Sequence, residues 1–172
     1  MTAEDYHKLL TYDPETGILT WKHRPDRSVQ WNGKHAGKPA GGRVGPRNGK
    51  PFGLQVRVNG SFVLAHRIIW CMRNGSIPDG AMIDHENTNA IDNKWSNLRL
   101  ANRSQNGCNR GKTKANSTGL KGVYMERRGL PWSSRIKANG KSIYIGKFRT
   151  KGEAAVAYAK AAIRYHGTFA RF

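Results

Sequence analysis

Acidic residues are scarce: 11 Asp and Glu stand against 30 Lys and Arg in 172 residues, a formal net charge of +19. Such a chain repels cationic ligands and attracts polyanions, because each Lys or Arg that neutralises a phosphate releases a condensed counterion. Cysteine is scarcer still. Cys71 and Cys108 have no second cysteine at zinc-ligand spacing, which argues against a disulfide or zinc framework. Long apolar runs are missing too: no stretch approaches the roughly 18 apolar residues of a spanning helix, and no apolar segment follows a basic N-terminal start. Neither membrane insertion nor secretion is expected. The chain reads as a cytoplasmic protein whose partner is nucleic acid, with no obligate protein partner evident.

The length suits one ordinary domain or two small ones, and the charge is unevenly spread. Lys and Arg outnumber Asp and Glu 16 to 9 over residues 1–111 and 14 to 2 over 112–172. Between Gly111 and Gly119 the chain is polar, basic and free of large apolar residues, which suits a linker. The expected domains are therefore 1–111 and 119–172, joined by 112–118.

In the first domain, Asp13-Pro-Glu-Thr-Gly17 predicts a turn and Ile18–Trp21 a strand. Residues 24–53 carry many Gly, Arg and Lys with little periodicity, and are expected to be loops or an extended basic arm, mostly exposed. In that arm Arg24, Arg27, Lys34, Lys38, Arg43, Arg47 and Lys50 are candidates for phosphate contact. Leu54–Val58 and Phe62–Leu64 flank Asn59-Gly60, a strong hairpin signal. A helix over 65–74 follows, with Ile69 and Met72 inward and Gly75 at its end.

The second domain is more legible. Strands are predicted over 121–126, 132–138 and 142–147, the last two joined by Asn139-Gly140. Thr150 and Glu153 form a capping box for a helix running to about His166 and closed by Gly167. Its apolar stripe is read as Ala155, Tyr158, Ala159, Ala162 and Ile163, facing Ile136, Ile143 and Ile145. By alternation Arg135, Lys137, Ser142 and Tyr144 then point away from the helix, forming a basic face.

The chemistry concentrates between residues 84 and 106. Phosphodiester hydrolysis needs a nucleophilic water, a base to take its proton, and positive charge beside the phosphate and the leaving oxygen. Ile83–His85 reads as a strand end and Leu98–Leu100 as a second strand. Asn102 then caps a helix carrying Asn106, 22 residues after Asp84. Two strands and a helix can bring Asp84 and Asn106 to one metal ion, with His85 on the other side of its strand as general base. An oxygen-only ligand pair suits Mg2+ or Mn2+, one ion per site. Asn97 is expected to brace the loop and align His85.

The run Asp84-His-Glu-Asn-Thr-Asn-Ala-Ile-Asp-Asn-Lys-Trp-Ser-Asn-Leu-Arg99, followed by Arg103-Ser-Gln-Asn106 and preceded by Ala65-His-Arg-Ile-Ile-Trp70, closely resembles the HNH endonucleases of phage and intron homing type. The resemblance implies a ββα-metal finger over about 81–110, with His85 as the general base and Asn97 as the middle asparagine. It implies that Asp84 and Asn106 share the metal. The chain departs from the family at the third position, Asn106 where many of these enzymes have His, which implies weaker metal binding and favours magnesium over zinc. In the loop two more departures stand out, Thr88 in place of a common glycine and Trp95 in place of a smaller residue.

From Thr118 to Phe172 the chain is similar to the plant apetala and ethylene-response-factor DNA-binding domain, through Lys121-Gly-Val-Tyr124, Ile145-Gly-Lys-Phe148, Glu153-Ala-Ala-Val-Ala-Tyr158 and His166-Gly167. In that family a three-stranded sheet reads the major groove. Carried over, the DNA-binding candidates are Lys121, Tyr124, Glu126, Arg127, Arg128, Arg135, Lys137, Ser142 and Tyr144.

The expected fold is thus α+β: a ββα-metal nuclease domain followed by a small three-stranded antiparallel sheet packed on one helix. The expected function is homing-type endonucleolytic nicking or cutting of double-stranded DNA, leaving 5′-phosphate and 3′-hydroxyl ends. Two rivals also fit the charge: a catalytically inactive sequence-specific DNA-binding protein or transcription regulator, and an RNA-binding protein. For the second, the sheet face lacks the expected paired stacking aromatics.

Overall fold

A computed structural model of the chain describes residues 1–47, 50–51, 53–109, 116–127 and 131–172. The DNA-reading candidate Arg128, residues 112–115 of the expected linker, and the side chains of Arg47 and Lys50 lie outside what is described. Two compact units are present, Met1–Leu100 and Ala101–Phe172.

The first unit opens with helix α1 (Ala3–Leu9), for which Thr2 and Asp5 form a capping box. This helix was not among the expected elements, although its Thr-Ala-Glu-Asp start carries the capping signal. Strands β1 (Leu10–Asp13) and β2 (Ile18–Trp21) pair antiparallel across the expected turn, where Asp13 accepts from the amide of Glu15 at 2.9 Å.

Residues 24–53 are mostly exposed where described, as expected, but they hold regular elements rather than loops alone. Ser28 caps helix α2 (Val29–His35), and short strands β3 (Gly42–Arg43), β4 (Pro46–Arg47) and β5 (Lys50–Pro51) follow. Arg24 is buried: its Nε donates to Asp26 Oδ1 at 3.0 Å, and its backbone amide donates to Asn32 Oδ1 at 2.8 Å. A helix of under two turns is too short for a 3.6-residue stripe to register, so the pattern hid it.

Strands β6 (Leu54–Val58) and β7 (Ser61–Leu64) make the predicted hairpin, with φ of 48° at Asn59 and 82° at Gly60, the paired positive values of a type I′ turn. Helix α3 (Ala65–Asn74) has the predicted bounds, buries Ile69 and Met72, and stops at Gly75. Ile68, Ile69 and Val56 are wholly buried beside Leu10, Leu19 and Leu98, each such side chain stabilising the unit by about 1.5–3 kcal/mol. Against this core lie β8 (Met82–His85), a 3-10 turn (Trp95–Asn97) and β9 (Leu98–Ala101), which pairs with β8.

In the second unit, α4 (Arg103–Cys108) begins at Asn102, whose capping box is completed by Gln105. Strands β10 (Val123–Met125), β11 (Trp132–Ala138) and β12 (Lys141–Phe148) form an antiparallel sheet in that order, and α5 (Lys151–His166) packs on it behind the predicted Thr150–Glu153 capping box. Ile136 is buried, with Ile143 and Ile145 packed alongside, as predicted. The helix stripe is rotated from the one read in the sequence. The row Ala154, Tyr158 and Ala162 is buried, whereas Ile163 is 60% exposed, because the large Tyr158 ring takes the contact and its small neighbours at i−4 and i+4 let it in. The α+β class, with a three-stranded sheet on the C-terminal helix, is the one expected. Among the described residues no helix is long and apolar enough to cross a membrane.

Candidate active site

Strand alternation separates the two neighbours on β8. Asp84 and His85 are both buried, yet they use different partners, as side chains on opposite faces must. Asp84 Oδ2 accepts from Arg99 Nε at 3.0 Å, across the β8–β9 pair. A carboxylate taken out of water loses its hydration, and a guanidinium at hydrogen-bond distance replaces part of it. His85 Nε2 donates to Asn93 Oδ1 at 3.0 Å, and its ring meets His66 edge to face at 5.1 Å between centroids. With Nε2 donating to Asn93, Nδ1 is the ring nitrogen that carries the lone pair in the neutral tautomer. Burial, then the charge of His85 and of Arg67, pushes His66 down to about 3, so His66 is neutral at ordinary pH.

The loop between the strands is braced by Asn97. Its Nδ2 donates to the Asp92 carbonyl at 2.7 Å, its Oδ1 accepts from the Asn87 amide at 2.9 Å, and its carbonyl accepts from the Glu86 amide at 2.9 Å. The side chain bonded to His85 Nε2 is Asn93, a residue to which the sequence assigned no role. Asn93 is in turn held by the N-terminal hairpin, because Tyr12 Oη donates to its carbonyl at 2.9 Å. The turn of that hairpin lies against the same segment: the amide of Trp95 donates to the Pro14 carbonyl at 3.1 Å, and Gly17 has no room for a Cβ beside Lys94. Trp95, the second of the loop departures from the resembling family, lies tilted against Trp70 at 5.2 Å, with the Arg73 guanidinium 4.8 Å from its ring centre. Thr88, the first, has φ of 64°, a conformation that glycine adopts without strain.

Asn106 stands on α4 in the second unit, half-buried, with its backbone amide bonded to the Asn102 carbonyl at 3.0 Å. Asp84 and Asn106 offer one carboxylate and one amide oxygen. Oxygens of these types are what a hard, oxygen-seeking cation takes. Among the described residues no group of three or more His, Cys, Asp or Glu is placed to hold a metal by itself. Arg99 is already on Asp84, so any cation at that carboxylate would share it with a guanidinium.

In the second unit the sheet face carries exposed Tyr124, Arg135, Lys137, Ser142 and Tyr144. The Arg135 guanidinium lies 5.8 Å from the Tyr124 ring centre and 5.9 Å from that of Tyr144, and 3.7 Å from Glu126. Arg127 is exposed beyond β10. Lys121 precedes that strand and is turned elsewhere: its Nζ donates to the carbonyl of Cys108, the last residue of α4, at 2.6 Å. A helix C-terminus attracts an ammonium in this way, and partial burial lowers the Lys121 pKa.

Residues 63–108, which hold α3, the β8–β9 pair and α4, match the HNH endonuclease family. Over 109 residues the chain is 34% identical to Protein 3.8 of Escherichia phage T7, a stretch that spans 62% of this chain and 88% of the phage protein. The chain belongs to the same family as that phage protein and carries an HNH endonuclease domain. Among solved structures none matches.

Proposed function

We propose that this protein is a metal-dependent endonuclease of homing type that hydrolyses phosphodiester bonds in double-stranded DNA. The observation that carries the reading is the paired arrangement on β8: a histidine held at Nε2 by Asn93, next to a buried aspartate held by Arg99.

In this reading His85 takes a proton from water at Nδ1. The water oxygen forms a bond to phosphorus, the bond from phosphorus to the 3′ oxygen breaks, the departing oxygen takes a proton from solvent, and the products carry 5′-phosphate and 3′-hydroxyl ends. Asn93 Oδ1, already accepting from Nε2, stabilises the imidazolium that results. A positioned base of this kind contributes roughly 10²–10⁴-fold. Asp84 and Asn106 are the proposed ligands of a single Mg2+ or Mn2+, which when bound supplies positive charge at the phosphate and the leaving oxygen. Asn97 holds the loop that carries Asn93. With one finger per chain, nicking of one strand is the simpler outcome.

The cutting module is proposed to run to residue 111 and a DNA-orienting module to span 119–172, with Tyr124, Arg127, Arg128, Arg135, Lys137 and Tyr144 contacting duplex, in line with the resemblance to the plant DNA-binding domain. Lys121, bonded to Cys108, contributes less to that face than its position in the sequence suggested.

Incubating supercoiled plasmid with protein and Mg2+ or Mn2+ tests the reading. The wild type converts plasmid to the nicked form, whereas His85→Ala cuts at least about 100-fold more slowly and still retards DNA in a gel. Unchanged cleavage by His85→Ala refutes the assigned base. A second reading, a DNA-binding protein without cleavage, is favoured by the Arg99–Asp84 ion pair, which competes with a cation. It predicts retardation with no nicking in either metal.

A further inference from the structure

The first unit holds a cavity of about 700 Å³, apart from the β8–β9 pair, lined in part by Trp21, Arg27, Trp31, His35, Arg57 and Phe62. No residue of its described lining is acidic. We propose that this cavity binds unpaired nucleotides of a DNA strand, with guanidinium groups on the phosphate and an aromatic ring against a base.

Three observations carry the proposal. First, Arg57 and Phe62 stand directly opposite each other on β6 and β7, so they share one face of the hairpin, with the Arg57 guanidinium 5.6 Å from the Phe62 ring centre. Phe62 is 63% exposed. An aromatic ring left that open adds little to the core, yet it presents a π-face beside a cation, the pairing on which an unstacked base and its phosphate settle. Second, the opposite wall is built rather than incidental. Trp31 meets Trp21 edge-on at 5.5 Å and lies tilted against His35 at 4.7 Å, and the guanidinium carbons of Arg24 and Arg27 are each 5.9 Å from its ring centre. Arg24 is neutralised by Asp26, whereas the Arg27 side chain is 44% exposed and lies 3.8 Å from the same carboxylate. Arg57, and Arg27 through the exposed part of its guanidinium, are the lining cations placed to meet a phosphate. Third, the volume falls in the range of pockets that hold nucleotide-sized ligands, roughly 300–1,000 Å³. A duplex, with its bases stacked away from protein rings, gains nothing from Phe62.

The choice of DNA rests on the nuclease reading, but the pocket is tested without any cleavage. Fluorescence anisotropy with the full chain compares a labelled twelve-nucleotide thymine strand, a duplex hairpin of the same length and an RNA strand, all at one salt concentration and without divalent metal. The proposal expects Phe62→Ala to weaken binding of the thymine strand by about five-fold or more, Phe62→Tyr to retain it, and both to leave duplex affinity within two-fold. Arg57→Gln and Arg27→Gln should each weaken strand binding more than Lys8→Gln, which removes an equal charge from α1. Phe62 is exposed, so its variants keep the fold, which a thermal melt verifies. Strand affinity unchanged in Phe62→Ala overturns the proposal. So does an equal loss for strand and duplex, or an RNA strand bound more tightly than the DNA strand. Binding is read without divalent metal and without cleavage, so failure of the pocket is distinct from failure of the catalytic assignment.

Discussion

The hydroxyl of Tyr12 donates to the carbonyl of Asn93 at 2.9 Å, and the side chain of the same Asn93 accepts from His85. An N-terminal hairpin thus reaches the histidine of a motif some seventy residues later through one asparagine. Burial pushes the Tyr12 phenol up to about 12, so it remains a donor throughout the working pH range. Replacing Asn93 with Ala removes the acceptor that orients His85 Nε2. The expected result is a 10–100-fold slower nicking rate with DNA retardation unchanged, measured on supercoiled plasmid and by gel shift.

Gly17 fixes how closely the hairpin approaches. A Cβ there would fall 2.5 Å from the Lys94 amide nitrogen and 2.6 Å from the Asn93 carbonyl carbon, and φ is 76°. Gly17→Ala should therefore destabilise the fold by about 2 kcal/mol or more. Urea unfolding of the variant against the wild type reads this directly, and an equal midpoint would show that the hairpin yields.

His66 supplies a pH signature. Its folded pKa of about 3 lies below the 6.5 of an unperturbed imidazole, so between those values the unfolded chain binds a proton that the folded chain does not. The His66 contribution is then constant above pH 6.5 and is lost as pH falls toward 3, at up to about 1.4 kcal/mol per pH unit. His66→Phe removes the titration and also the buried Nδ1 that has no hydrogen-bond partner among the described residues. Unfolding free energies at pH 5 and pH 7 should differ less in this variant than in the wild type.

Thr88 carries the reverse of the Gly17 constraint. It is exposed, β-branched and held at φ 64°, a conformation that costs an L-residue roughly 1–2 kcal/mol. Thr88→Gly recovers part of that cost, offset by the greater freedom of glycine in the unfolded chain. A gain of up to about 1 kcal/mol in urea unfolding is expected, with nicking unaltered.

Local signals were read well where the physics is local. The capping box at Thr150, the Asn-Gly turns at 59–60 and 139–140, and the bounds of α3 each depend on residues within four or five positions, and each is found where the sequence placed it. Helix α2 was missed because its turns are few, and the Ile163 assignment failed because two neighbouring faces of α5 are both apolar and only packing chooses between them. At the candidate site, the spacing of Asp84, His85, Asn97 and Asn106 pointed to the segment that matches the HNH family, but Asn93 is one of several asparagines in that loop and nothing in the string of letters sets it apart.

From its letters alone the chain declares a polyanion partner, a mixed fold and a histidine beside an aspartate, since charge, periodicity and short spacings are properties of neighbouring residues. Which amide grips His85, which guanidinium holds Asp84 and where the aromatic cavity opens were settled by folding. Those contacts join positions far apart in sequence, and a buried polar group takes whatever partner the packed chain brings within about 3 Å.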